Sequence, residues 1–135
     1  MGQNFRSIIA WQKADDLVVE VYAITKKCFP REELFALTQQ MRRAAVSVAA
    51  NIAEGSAKRT MAEFRTYLDH SIGSLNEVEY YIHLGQRLGY IDAMTAKKLF
   101  DLEAEAAKTL TGFIDSIERQ INAGRKLNKL PAASR

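Results

Sequence analysis

Proline is missing from the whole stretch between Arg31 and Leu130, and this constrains the fold more than any other feature of the sequence. A proline inside a helix removes a backbone donor and drives its ring into the preceding turn, so stretches without it are free to stay helical. The two prolines present, Pro30 and Pro131, lie outside that stretch. Within it, and before Pro30, apolar residues return every three or four positions rather than every two. No β-branched alternation is sustained and no hairpin signal occurs. The chain is therefore expected to be all-α.

Four segments carry that period. The first runs from about Ile8 to Cys28, with Trp11, Ala14, Val18, Val21, Tyr22 and Thr25 on one face. Phe29-Pro30 stops it, because the residue before a proline avoids the α conformation. The second is expected to start at Pro30-Arg31-Glu32-Glu33, with proline in the first turn and acids at the positive dipole end. Its stripe is Leu34, Leu37, Met41, Ala44, Ala45, Val48 and Ile52, and Gly55 reads as a left-handed stop.

Thr60 with Glu63 forms a capping-box pattern that opens the third segment. Phe64, Leu68, Leu75, Val78 and Ile82 line it up to Leu88, and Gly89 ends it. Asp92 is the expected N-cap of the fourth, whose stripe is Leu99, Leu102, Ala106, Leu110, Phe113, Ile117 and Ile121, ending near Gly124. Connections of a few residues make consecutive helices antiparallel neighbours. The expectation is one antiparallel up-down four-helix bundle over residues 1–124, followed by a basic, flexible tail over residues 125–135.

Composition narrows the function. Hydrophobic residues make up 47% and charged residues 26%, enough for both a core and a solvated surface. No apolar run approaches the roughly 20 residues of a membrane span, and the first residues lack the apolar core of a leader. A single cysteine, Cys28, forms no intramolecular disulfide. These features point to a soluble, cytoplasmic protein with no membrane association.

Chemistry has little to build on. Glu79 and His83 are four apart, not at the Glu-x-x-His spacing of a di-iron bundle, and Asp69-His70 are adjacent. Cys28 has no candidate base near it in sequence, and the glycines are dispersed rather than clustered around a phosphate loop. No catalytic residue, metal or cofactor is expected, and the chain is not expected to be an enzyme.

The surface is more informative. The net charge is +3, with nine Lys/Arg against six Asp/Glu in residues 1–60 and eight against six in residues 91–135. Basic pairs lie near helix ends: Lys26-Lys27, Arg42-Arg43 and Lys58-Arg59, with Arg31, Lys97-Lys98 and Arg125-Lys126 besides. These are candidate contacts to a nucleic-acid backbone, without sequence readout.

Two further strips stand out. Phe35 and Val46, with Ala49 and Ala53, lie about a quarter-turn from the core stripe of the second segment, and Tyr80, Leu84 and Gly73 lie opposite the core of the third. Aligned apolar residues on two helices suggest an oligomer interface. Gln40, Arg43, Ser47, Asn51 and Glu54 form a polar strip, in which Arg43 and Glu54 would pair across to a neighbouring helix or subunit, or stay solvated.

Several strings are similar to one known family. Trp11-Gln12-Lys13-Ala14, Phe29-Pro30 with Glu33-Leu34, and the run from Leu37 through Arg42-Arg43-Ala44 to Ser47 carry the resemblance. So do Asn51-Ile52-Ala53-Glu54-Gly55 with Arg59, Glu63-Phe64, Gly73 to Glu77 and Gly89-Tyr90-Ile91. Together they resemble the 23S rRNA intervening-sequence proteins, also called the S23 or four-helix bundle protein family, over about Phe5 to Gln120. The resemblance implies an antiparallel four-helix bundle that assembles as a pentameric ring. A relative, the accessory variability determinant of diversity-generating retroelements, forms a basic barrel that binds nucleic acid and a reverse transcriptase. Two functions follow as alternatives: a homo-oligomeric protein binding RNA or DNA backbone, or serving a ribonucleoprotein, and a structural interaction module with no nucleic-acid role.

Overall fold

A computed structural model of the chain describes residues 4–129 and Pro131. Four helices, α1 (Ile9–Cys28), α2 (Leu37–Ser56), α3 (Met61–Arg87) and α4 (Ala93–Asn128), are accompanied by two short 3₁₀ turns, Phe5–Ser7 and Arg31–Glu33. Among the described residues there is no strand. Each helix packs on two others: α1 on α2 and α4, and α3 on α2 and α4. The backbones of the diagonal pairs stay apart, so the cross-section is a square with the core at its centre.

Local signals set the helix ends. Thr60 accepts a hydrogen bond from the Glu63 backbone N–H at 3.1 Å, and Asp92 accepts one from Thr95 N–H at 2.7 Å. Each such cap is worth about 1 kcal/mol. At the end of α3, Gly89 has φ +78°, and Tyr90 N–H bonds Gly85 O while Gly89 N–H bonds Gln86 O. That paired bonding satisfies carbonyls that have no partner inside the helix. Phe29 and Tyr90 then meet with ring centroids 5.4 Å apart and close this end of the bundle.

Several expectations are corrected. The second helix does not start at Pro30. Arg31–Glu33 form a separate 3₁₀ turn, Ala36 has φ −126° and ψ −105°, and α2 begins only at Leu37. Leu34 is therefore outside the core stripe and 41% exposed. In α1, Leu17 and Ile24 are buried in place of Tyr22, which is exposed, and of Trp11 and Val18, which are partly buried. Gly55 is not a left-handed stop but lies inside α2, buried. Gly124 does not end α4, which continues through Arg125 and Lys126 to Asn128, so the start of the expected tail is helical. Leu130 and residues 132–135 of that tail, and residues 1–3 at the other end, lie outside the described residues.

Gly55 serves a close approach of helices. A Cβ there would lie 2.8 Å from Phe64 Cδ1 and 2.8 Å from Tyr67 Cβ, distances that packed atoms do not tolerate. Gly73, also helical, would meet nothing within 4 Å. Below Gly55 the α2–α3 seam is polar and small: Ser71 Oγ donates to Val48 O at 2.9 Å and Ser74 Oγ to Ser47 Oγ at 2.8 Å.

One charged residue is in the core. Glu103 sits on α4 between Leu99 and Ala106, only 6% exposed. Burial, reinforced by the Glu79 carboxylate on α3, pushes its pKa up to about 7 from an ordinary 4.5. Between those values the folded chain holds a proton that the unfolded chain releases, so stability falls as pH rises.

Two outcomes follow. Gly55→Ala should lower unfolding stability by about 1–3 kcal/mol, even after the gain in helix propensity, whereas Gly73→Ala should raise it by about 0.5–1 kcal/mol. Urea unfolding of both variants checks the pair. Glu103 should cost the native state on the order of 3 kcal/mol at most between pH 5 and pH 8. Glu103→Gln should flatten the pH profile of stability over that interval, and a profile parallel to that of the parent protein refutes the assignment.

Candidate nucleic-acid interface

The six basic residues singled out by sequence do not form one patch. Lys26 and Lys27 end α1, and Arg42 and Arg43 lie in the second turn of α2, at the same end of the bundle. Lys58 and Arg59 are in the α2–α3 connection, one α2 length away, roughly 24 Å from Arg42 along the axis. Beyond them α4 outruns α3 by roughly 14 Å, and this overhang carries the exposed Arg125 and Lys126. The bundle thus has a basic cluster at each end.

The first cluster is the more structured. Arg42 Nε donates to Thr25 Oγ1 at 2.8 Å, and its guanidinium lies 4.7 Å from the Tyr22 ring centroid. Thr25 in turn donates to Val21 O at 2.7 Å, so the arginine is fixed through α1 backbone. A cavity of about 390 Å³ beside it, between the end of α1 and the start of α2, is lined by Lys26, Arg31 and Arg42, with Thr38 and the apolar Phe29 and Leu34. Among the described residues no carboxylate lines it. Lys27 lies on the other side of α1, by a smaller cavity shared with Lys98 and Cys28. In the second cluster Lys58 Nζ rests 4.9 Å from the Tyr67 ring centroid, while Arg59 is exposed.

The polar strip divides. Asn51 Nδ2 donates to Ser47 O at 2.8 Å and to Ser47 Oγ at 2.9 Å, and Ser47 Oγ also receives the bond from Ser74. Those two residues are tied to the α2–α3 seam. Gln40, Arg43 and Glu54 are exposed, and among the described residues neither Arg43 nor Glu54 has an ion-pair partner. The ion pairs that do form are elsewhere, such as Arg65 with Glu118 at 2.6 Å and Lys98 with Glu20 at 2.9 Å.

The apolar strips also separate. Val46 lies with Arg43, Glu54 and Tyr22 along a groove of about 410 Å³ on the α1–α2 side. Tyr80 lines a hollow of about 450 Å³ with Glu79, His83 and Phe100 on the α3–α4 side, which is the opposite face of the square. Leu84 packs partly against the core, and Phe35, 85% exposed, is in the connection before α2 rather than on the helix. Among the described residues no three His, Cys, Asp or Glu side chains converge as metal ligands. No helix there is long and apolar enough to cross a membrane.

The residue pattern places Thr25 on the apolar face of the first segment without a polar partner, puts Arg31 at the expected helix start and among the basic residues, and gives Thr38 no role. Thr38 falls three residues before Met41 on the buried stripe, and that spacing was the available signal.

Comparison with known proteins agrees with the four-helix fold. A crystal structure of a protein of unknown function from the S23 ribosomal protein family of Bacteroides thetaiotaomicron superposes with a TM-score of 0.72. It is 25% identical, and the match covers 78% of this chain and 97% of that one. No curated protein is significantly similar to the chain. The family model for 23S rRNA-intervening sequence proteins matches residues 6–112. The chain belongs to the 23S rRNA-intervening sequence protein family.

Proposed function

We propose that this protein is a non-enzymatic homo-oligomer that binds the backbone of RNA or DNA. The observation that carries the reading is the corner where Lys26, Arg31 and Arg42 line one cavity with no carboxylate among them. Cations held without an acidic partner are available to phosphate, and repeating the corner around an oligomer multiplies a modest net charge of +3 per chain. The resemblance to a family named for rRNA insertions favours the same partner class.

The placement of the surface strips supports a ring. Val46 and the unpaired Arg43 and Glu54 are on one face, and Tyr80 with Glu79 is on the opposite face. Two different patches on opposite sides suit a head-to-tail contact, which closes into a ring, better than a two-fold contact of one patch with itself. Arg43 facing Glu79 of the next copy would supply opposite charges. A pentamer is the size that the resemblance implies.

The structural-module alternative draws on a different observation, the engagement of Ser47 and Asn51 in the α2–α3 seam. In that reading the most distinctive stretch of the chain is architectural, and the basic corners are only solvated.

Light scattering should find the protein assembled, and Val46→Asp or Tyr80→Ala should give a smaller, still helical species. A monomeric parent protein at micromolar concentration contradicts the ring. Binding to structured RNA and duplex DNA should weaken linearly with the logarithm of salt, and Lys26→Ala with Arg31→Ala should reduce the slope by about two. No binding at low salt leaves the structural module.

A further inference from the structure

The corner that holds Lys26, Arg31 and Arg42 has features that a solvated charge patch does not need. Among the described residues five hydroxyl residues are buried: Thr25, Thr38, Ser56, Ser71 and Ser74. Four of them donate a hydrogen bond, to Val21 O, Ala53 O, Val48 O and Ser47 Oγ. Thr38, 3% exposed as a residue, makes none among the described residues, and its hydroxyl is not sealed in the interior but opens onto the cavity it lines. A hydroxyl held by a buried side chain and left open to the cavity is available to bond a group that fills it.

The backbone beside it is also open. Helix α2 has no side-chain cap at Ala36, and among the described residues the N–H groups of Leu37, Thr38 and Gln39 have no partner, the first bonded amide being Gln40. The positive end of the α2 dipole therefore opens where the three cations stand. Arg42 is already held by Thr25 and Tyr22, so little side-chain freedom remains to be lost on binding. Glu32 and Glu33 follow Arg31 in the chain but do not line the cavity, and the Tyr90 phenol is pushed up by burial and by their negative charge.

The remaining wall is apolar, formed by Phe29, Pro30 and Leu34. At about 390 Å³ the space is larger than a bare oxyanion needs and within the range of small-ligand sites. Three cations and a helix N-terminus match a dianion better than the single charge of a bridging phosphate in a continuous strand. We infer that this cavity is a binding site for a phosphate monoester, a nucleotide or nucleic-acid end bearing a terminal phosphate. Lys26, Arg31, Arg42 and the Thr38 hydroxyl take the phosphate, and Phe29 and Leu34 face the nucleoside. The inference deepens the phosphate-binding reading of the same corner by assigning it a terminal rather than an internal phosphate.

Calorimetric titration of the full chain with adenosine 5′-monophosphate, inorganic phosphate and adenosine tests it, beside one RNA oligonucleotide prepared with a 5′-phosphate and with a 5′-hydroxyl. The monophosphate should bind more tightly than inorganic phosphate, and adenosine should not bind. The phosphorylated oligonucleotide should bind better than its hydroxyl twin. Thr38→Val, nearly isosteric, should weaken monophosphate binding about tenfold, as should Arg31→Ala, with helicity unchanged by circular dichroism. Equal binding of the two oligonucleotides, with no monophosphate binding, overturns the inference and leaves backbone binding standing. Monophosphate binding that Thr38→Val weakens, with neither oligonucleotide bound, supports the cavity and removes the nucleic-acid reading. No binding of any probe overturns both, including the case in which an acidic side chain of another copy fills the cavity.

Discussion

The close contact between α2 and α3 organises this molecule. Gly55 lets Phe64 and Tyr67 approach the α2 backbone to within a distance that no Cβ would allow, and Phe64 is fully buried as a result. Farther along the seam the helices meet through hydroxyls, Ser71 on Val48 O and Ser74 on Ser47, rather than through bulky side chains. Fixing this pair sets the axis against which α1 and α4 close the square. It also sets which residues of α2 turn outward, and thus where Arg43, Val46 and Glu54 stand.

A consequence is that core and surface share residues on neighbouring positions of one helix. Ser47 and Asn51 are tied to the seam and also line, with Arg43, Ala50 and Glu54, a groove on the outside, within the same few turns. A substitution in this stretch therefore reaches both packing and surface, and its effects separate only when folding and assembly are measured apart. Glu103 is a related compromise on α4, a carboxyl kept in a core stripe at a cost that grows with pH.

Function, in the reading offered here, is concentrated where regular structure fails. The break between Pro30 and Leu37 leaves α2 uncapped, and the amides, hydroxyl and cations that a longer helix would have spent internally remain open. A helix beginning at Pro30, as the residue pattern suggested, would have bonded the Thr38 amide to its own preceding turn. The cavity lies where that turn does not form.

The sequence by itself determined the number of helices, their order and most of their ends. Thr60, Asp92 and Gly89 act through bonds to residues at most five away, and local chemistry of that kind is legible in a linear string. Periodicity likewise located most of the core, because burial of one helical face repeats every 3.6 residues whatever the partner is. Other features depended on tertiary structure. Gly55 looked like a stop because glycine ends helices, and only the approach of Phe64 and Tyr67 shows that its missing side chain matters instead. Leu34 looked buried and is not, since the chain turns away before α2 begins. Glu103 is enclosed only by the packing of α4, since a charged side chain is ordinarily solvated. The gathering of Lys26, Arg31, Thr38 and Arg42 around one cavity was decided by the packing of α1 on α2, since contacts between separate helices leave no period in the sequence to read.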